Sequence, residues 1–191
     1  MLFTAETANH IIDTALLAVT EHPDGFAEIL DRLPAAIYVT DIEGTITYFN
    51  RECVALAGRT PALGQDKWCV SWKLFTEDGT ALPHDQCPMA VALREGRPVR
   101  DVSAIAERPD GTRVPFIPYP TPVFDADGKL AGAVNLLVEV SRKTATFFGD
   151  QAARCHVLAA EANDPAAAGT LALMAAKYEE QALRLRRAPA S

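Results

Sequence analysis

Three side chains in the middle of the sequence could bind a metal ion or haem iron: Cys69, His84 and Cys87. Haem iron needs an axial ligand, usually histidine, and His84 is the candidate for that role. His84 and Cys87 have His-x-x-Cys spacing, and Cys69 could be a third metal ligand; zinc needs four ligands, or three and a water. The alternative is that His84 lies on the solvent side of a helix start and Cys87 packs as a small apolar residue.

No other pattern in the sequence predicts catalysis. Several carboxylates lie in turns, where such side chains favour bonds with the local backbone; they are Asp41, Glu43, Asp110, Asp125 and Asp127. The glycines lack the spacing and the Lys-Ser/Thr ending of a phosphate-binding loop. No Ser-His-Asp arrangement can be inferred from the serines. We therefore expect that the protein is not an enzyme.

Charge and composition narrow the class of protein further. The chain has 191 residues, of which 49% are hydrophobic, and a formal net charge of −7. A negative net charge argues against nucleic acid as the main partner, because phosphate binding needs a basic face. No apolar segment is long enough to span a membrane, and the N-terminus lacks the pattern of a signal peptide. With four sparse cysteines, which are typical of reduced thiols, the sequence predicts a cytoplasmic protein.

Alternating apolar segments separated by turn residues predict five strands. We place them at residues 37–41, 45–49, 99–107, 113–124 and 129–140. Asp-Gly turns join the last three segments, and such turns are typical of hairpins. The fourth strand contains the prolines Pro115, Pro118, Pro120 and Pro122. Because proline cannot donate to a ladder, that strand must be broken, bulged or at an edge along much of its length.

Helices are predicted before, between and after these strands. Apolar spacing indicates two helices in residues 1–33, which we expect to pack on the sheet or on a second subunit. Asn50 is a candidate cap for a helix that runs to about Ala57, and a further helix covers 85–95. After residue 141, two helices separated by a break at Asp164 and Pro165 predict an antiparallel helical hairpin.

The order of these elements resembles a PAS domain, the small α/β sensor module of bacterial signalling proteins. The matching segments are Leu33-Pro34, Val39-Thr40-Asp41, the residues 44–50, Gly96-Arg97-Pro98-Val99, Asp110-Gly111-Thr112, and the residues 121–125 and 128–132. The resemblance implies an α+β fold: a five-stranded antiparallel sheet with helices on one face and a pocket between them. It divides the chain into N-terminal helices (1–32), the PAS domain (33–141) and the C-terminal hairpin (142–191). Because no output module is recognisable after residue 141, we expect a stand-alone sensor.

A small apolar or aromatic ligand could bind in the implied pocket. The apolar candidates for its lining are Ile37, Val39, Phe49, Trp72, Met89, Leu93, Ala104, Phe116, Val134 and Leu136. The polar side chains that could orient a ligand are Tyr38, Ser103, Tyr119 and Asn135. The alternative is that the same apolar residues fill a hydrophobic core and leave no pocket.

Flavin is the first cofactor to consider, because LOV-type PAS domains form a light-driven adduct through a cysteine in an Asn-Cys-Arg-Phe-Leu-Gln motif. Cys69 lies at a comparable place, but the arginine and glutamine of the motif are absent around it. Leu137 occupies the place of the glutamine expected in the last strand. We therefore expect no cofactor, with haem or flavin as alternatives.

These observations predict a cytoplasmic PAS sensor or adaptor that forms a homodimer. It would bind a small ligand or a signalling protein and relay the cue through its flanking helices as a shift in population. One alternative is a structural interaction module with a filled core and no ligand. Another is a haem- or metal-based redox sensor.

Overall fold

The computed structural model describes residues 5–140, 142–162 and 164–187, which fall into two compact units. One unit extends as far as Glu139 and contains all the strands; the other contains the two C-terminal helices. Within the described residues, no helix is long and apolar enough to cross a membrane.

The first unit is built on one antiparallel sheet. Its six strands, in the spatial order β2-β1-β6-β5-β4-β3, are β1 (Ala36–Thr40), β2 (Ile46–Phe49), β3 (Lys73–Phe75), β4 (Ala104–Glu107), β5 (Arg113–Phe124) and β6 (Leu130–Glu139). The prediction of an α+β fold with an antiparallel sheet is confirmed. The number of strands was wrong, because β3 has three residues and lies in an irregular segment where no alternation is visible.

The helices of this unit cover both faces of the sheet. On one face lie α3 (Arg51–Ala57) and α4 (Pro88–Glu95), and on the other lie α1 (Ala5–Glu21) and α2 (Phe26–Asp31). Asn50 caps α3 through a side-chain bond to the amide of Cys53, as predicted. The N-terminal helices pack on the sheet, with α1 against β5 and β6.

Two apolar clusters, one on each face, form the core. The inner cluster lies beneath α3 and α4 and comprises Ala36, Tyr38, Ile46, Cys53, Leu56, Ala57, Cys69, Val70, Leu74, Cys87, Met89, Ala90, Leu93, Ala104, Ala106, Val114, Phe116, Ala133 and Leu137. The outer cluster lies beneath α1 and α2 and comprises Ala8, Ile11, Ile12, Ala15, Ala18, Leu30, Ala35, Ile37, Val39, Val123, Val134, Leu136 and Val138. The sheet is therefore buried on both faces.

The backbone nitrogens of the prolines in β5 face the side of the strand on which no neighbouring strand is paired at that position. β4 pairs only with residues 113–116, and β6 pairs with residues 116–124. The carbonyl of Pro120 points away from β6 and accepts a bond from Val99 N at 3.3 Å. Backbone groups alternate in direction along a strand, so Pro118 and Pro122 also face this side, beyond the end of β4. The strand is continuous and has an open edge over this length.

The same prolines explain why the third predicted strand is shorter than expected. It was placed at residues 99–107, but β4 begins at Ala104. Pro118 has no N–H with which to continue the ladder past Phe116, the last partner of β4. Asp101 then adopts a left-handed backbone conformation, with φ at 59°, which breaks the extended segment.

The second unit is the helical hairpin of α5 (Arg142–Glu161) and α6 (Pro165–Arg187). Its buried side chains are small, and they are Ala152, Cys155, Ala175 and Ala182. As predicted, Asp164 caps α6, where its carboxylate accepts bonds from Ala166 N and Ala167 N. His156 Nε2 lies 3.0 Å from Glu179 Oε1 and joins the two helices at the surface.

Candidate functional site

Tyr38 of β1 lies at the centre of the inner cluster with no exposed surface. Its hydroxyl donates to the carbonyl of Trp68 at 2.8 Å and accepts from Nδ2 of Asn135 at 2.9 Å. Burial, with a smaller contribution from the neighbouring Cys69 and Cys87, raises the pKa of Tyr38 well above its usual value. The phenol therefore remains a neutral donor.

Asn135 extends this hydrogen-bond chain across the sheet. Its side chain is 2% exposed, and its Oδ1 accepts the amide N–H of Tyr119 on β5 at 3.0 Å. The bonds thus connect the loop at Trp68 with β1, β6 and β5 in succession. Trp68 has a left-handed φ of 69°, which is uncommon for a bulky residue and is found most often at functional sites.

On the outer face, the chain of contacts continues from Tyr119 to Arg100. The guanidinium carbon of Arg100 lies 5.5 Å from the centre of the Tyr119 ring, a cation–π distance. Arg100 also donates to the carbonyl of Pro120 at 2.9 Å and to Oγ1 of Thr121 at 2.8 Å. Burial lowers the pKa of this guanidinium, and Asp13 of α1 is close enough to act on its charge.

Three thiols surround Tyr38 but are poorly suited to chemistry. Cys53, Cys69 and Cys87 are all buried in the inner cluster. Burial raises the pKa of all three, to about 12 for Cys87. A thiol acts as a nucleophile only after it has lost its proton, so these three groups are poor nucleophiles at neutral pH.

His84 lies in a single 3-10 turn, His84–Gln86, and is half-buried. Its Nε2 is buried and makes no hydrogen bond. Burial lowers the pKa of the imidazole, and the nearby charge of Arg59 lowers it further. Among the described residues, no three His, Cys, Asp or Glu side chains lie close enough to hold one metal ion. The three-ligand site of Cys69, His84 and Cys87 is therefore not formed; His84 as a single haem ligand stays a prediction.

The predicted pocket residues do not share one face of the sheet. Met89, Leu93, Ala104 and Phe116 belong to the inner cluster, and Phe49 packs against it. The outer cluster contains the other strand residues of the set, which are Ile37, Val39, Val134 and Leu136. Trp72 is 53% exposed. The sequence could not separate the two sets because β1 is buried on both faces, so its apolar pattern does not show which side chains point inward.

The inner cluster does not fit a flavin. A flavin ring needs open volume and a few free polar groups. Here Tyr38, Met89 and Phe116 are at most 2% exposed, and the polar groups of Tyr38 and Asn135 bond to each other. Sequence reasoning named both of these only as available polar residues. It missed Trp68, whose role depends on a backbone carbonyl that no side-chain pattern reveals.

Comparison with known proteins gives the same fold. Residues 30–145 match the family model described as PAS fold. The PAS domain from the fruit-fly ELK potassium channel is 14% identical, with a TM-score of 0.50 over 62% of this chain and 97% of that one. The LOV protein of Rhodobacter sphaeroides is 18% identical, with a TM-score of 0.49 over 85% of this chain and 92% of that one.

A third similar structure is the PAS domain of a protein from Colwellia psychrerythraea, which is 16% identical, with a TM-score of 0.42 over 61% of this chain and 94% of that one. No curated protein matches the sequence. The family model covers more than half of the chain. The chain therefore belongs to the PAS family and contains a signal-sensing module.

Proposed function

We propose that this chain is a cytoplasmic sensor or adaptor of bacterial signal transduction that relays a cue to a protein partner through its flanking helices. The proposal is of a non-catalytic module. The observation that carries it is the hydrogen-bond chain from Trp68 through Tyr38 and Asn135 to the amide of Tyr119. These hydrogen bonds join the inner cluster to the face of the sheet on which α1 packs.

The mechanism is a shift between two arrangements of the hydrogen bonds that connect Trp68, Tyr38, Asn135 and Tyr119. A cue that moves the loop at Trp68 takes away the acceptor of the Tyr38 hydroxyl, which must then turn to another acceptor and so changes the geometry of the bond that it accepts from Asn135. Since Asn135 also holds β5 through Tyr119, the change reaches Arg100 and the outer face. Such a cue acts only to the extent that it binds the two arrangements with different affinity.

The packing of the inner cluster favours a protein cue over a small ligand in the interior. Tyr38, Met89, Val70 and Leu137 are each at most 2% exposed, so an apolar ligand would have to displace well-packed side chains. The same packing supports the second candidate function, which is a structural interaction module with a filled core and no relay. The two candidates differ in whether a change at Tyr38 reaches α1.

Hydrogen exchange in the variant Tyr38→Phe tests the relay. We expect exchange in α1 and in β5 near Tyr119 to become faster than in the wild type, by a factor at least about tenfold larger than the factor for α3. The reason is that the variant lowers the local opening energy of α1 and β5. Thr47→Val is the control, since its exposed hydroxyl bonds only the carbonyl of Val39. An equal increase in α1 and α3 would reflect general loss of stability and would support the filled structural module instead.

We also propose that the chain is a homodimer whose contact includes the C-terminal hairpin. Large apolar side chains are exposed on α5 and α6, and they are Val157, Leu158, Leu173, Met174 and Leu183. Exposed apolar residues on adjoining helices are typical of an association surface, and two-fold dimers are the commonest assembly. The number of these exposed side chains supports a dimer. The dimer proposal is independent of the proposed relay.

Light scattering of Leu173→Glu tests this contact. Leu173 is 71% exposed, so the change should leave the hairpin folded while weakening the dimer by at least about tenfold. Ala167→Glu, at an exposed position in the first turn of α6, is the control and should remain dimeric. A Leu173→Glu protein with wild-type mass at every concentration would place the dimer contact elsewhere.

A further inference from the structure

A cavity of about 450 Å³ opens on the outer face of the sheet, between the end of α1 and the turn that joins β5 to β6. Its lining includes Val19, Glu21, Val39, Val123, Phe124 and Asp125. The volume is in the range of small-molecule sites in proteins. From this lining we infer that the cavity is a binding site for a small organic cation, an ammonium group carried on an apolar body. This site lies apart from the inner cluster and does not rest on the proposed relay.

The floor of the cavity is apolar and already formed. Val39 is 7% exposed and Val123 is 9% exposed, and both belong to the outer cluster. They lie on β1 and β5, which both pair with β6, so the ladder fixes their positions. A rigid apolar floor favours ligands with an aliphatic or aromatic body, because burying it removes apolar surface from water without reorganising the protein.

The rim of the cavity is negatively charged. Glu21 and Asp125 are exposed there, and neither carboxylate takes part in an ion pair with another described side chain. Glu21 is also the last residue of α1, where the helix dipole adds partial negative charge. The neighbouring cation Lys129 lies 4.0 Å from Asp127 rather than on Asp125. The rim therefore selects a cation.

The aromatic ring at the rim adds a second cation-binding element. Phe124 lines the cavity at the end of β5 and is 47% exposed. A ring beside two carboxylates stabilises an ammonium ion through its negative face. Asp125 is held in place for this role, since its Oδ1 accepts the amides of Asp127 and Lys129, each at 2.9 Å.

Titration of the ¹⁵N-labelled full chain with phenethylammonium tests the site. We expect saturable shifts of the amide resonances of Val39, Phe124 and Gly132, which line the cavity. The neutral analogue 2-phenylethanol has nearly the same shape and should bind at least about tenfold more weakly, because it lacks the charge that the carboxylates recognise. Added salt should weaken binding of the ammonium ion but not of the alcohol.

Variants assign the effect to the two carboxylates. The double variant Glu21→Gln/Asp125→Asn should bind phenethylammonium at least about tenfold more weakly, while the amide at residue 125 keeps an acceptor for the turn. Asp127 lies in the same turn, with its side chain directed to Lys129. The variant Asp127→Asn should therefore bind phenethylammonium like the wild type. Equal affinity for the alcohol, wild-type affinity in the double variant, or shifts confined to other residues would overturn the assignment. Tighter binding of N-acetyl-lysine amide than of phenethylammonium would overturn it in favour of a protein side chain.

Discussion

At the scale of single residues, the side chain of Asn50 links α2, the start of β1 and α3. Its buried amide donates to the carbonyls of Leu30 and Ala35 and accepts from the amides of Ile37 and Cys53. In Asn50→Ala, the carbonyl of Ala35 and the amide of Ile37 lose these partners inside the core. Each of these two unpaired buried groups costs about 1–3 kcal/mol, so we expect the free energy of unfolding to fall by about 2–6 kcal/mol.

Urea denaturation measures this loss. Asn9→Ala is the matched control, because Asn9 is exposed on α1 and its replacement should change the free energy of unfolding by no more than about 0.5 kcal/mol. If both variants unfold at the wild-type urea concentration, the bonds of Asn50 do no more for stability than bonds to water would.

Two turn glycines in similar conformations separate backbone strain from side-chain contact. Gly44 and Gly128 have φ values of 79° and 75°. A Cβ at Gly44 would lie 2.0 Å from the ring of Trp68, whereas a Cβ at Gly128 would meet nothing within 4 Å. We expect Gly128→Ala to cost about 1 kcal/mol from the left-handed backbone alone. Gly44→Ala should cost about 1–3 kcal/mol more, because the Trp68 ring must move.

The measurement is urea denaturation followed by tryptophan fluorescence. Gly44→Ala should also change the native emission spectrum, because Trp68 is displaced, and Gly128→Ala should leave it unchanged. Similar costs and similar spectra for the two variants would mean that Trp68 is free to move and does not anchor the loop.

At the scale of elements, the sequence predicted what depends on local pattern. The caps at Asn50 and Asp164 and the long strands β5 and β6 follow from residue types near one another in the sequence. The three-residue β3 does not, because it forms only where Lys73, Leu74 and Phe75 meet β4. The inward direction of Tyr38 also escapes sequence reasoning, since every residue of β1 is buried. Predictions failed where tertiary pairing, not local preference, decides the structure.

The short β4 leads to a prediction about the prolines of β5. In the variant Pro118→Val/Pro120→Val, two new N–H groups face the segment at Val99–Ser103 and allow the ladder to extend. We expect slower hydrogen exchange at Val102, whose N–H faces residue 118 in the extended ladder. Each new bond adds about 0.5–1.5 kcal/mol, which the lost rigidity of proline offsets by about 0.4–1 kcal/mol for each site.

Exchange rates measured by NMR decide the matter, because the net change in stability is small. Pro115→Val is the control: Pro115 lies opposite Ile105 in a ladder whose bonds are made by Val114 and Phe116, so its new N–H faces away from β4. Unchanged exchange at Val102 would show that Asp101, rather than the missing donors, ends the strand.

For the whole molecule, the two compact units predict separable stability. The unit that ends at Glu139 has two apolar clusters of its own, and the hairpin buries its own stripe of small residues. We therefore expect a chain shortened to residues 1–141 to fold and to unfold in urea as a single transition. If the proposed dimer forms through the hairpin, the midpoint for the full chain rises with protein concentration, because association stabilises the folded state.

The shortened chain should show no such dependence on concentration, because it lacks the exposed apolar side chains of α5 and α6. Urea denaturation of both chains over a hundredfold range of concentration measures the difference. A shortened chain that also becomes more stable with concentration would place the dimer contact on the PAS unit. A shortened chain that fails to fold would mean that the sheet unit needs the hairpin for its stability, and the two units would then be one cooperative structure.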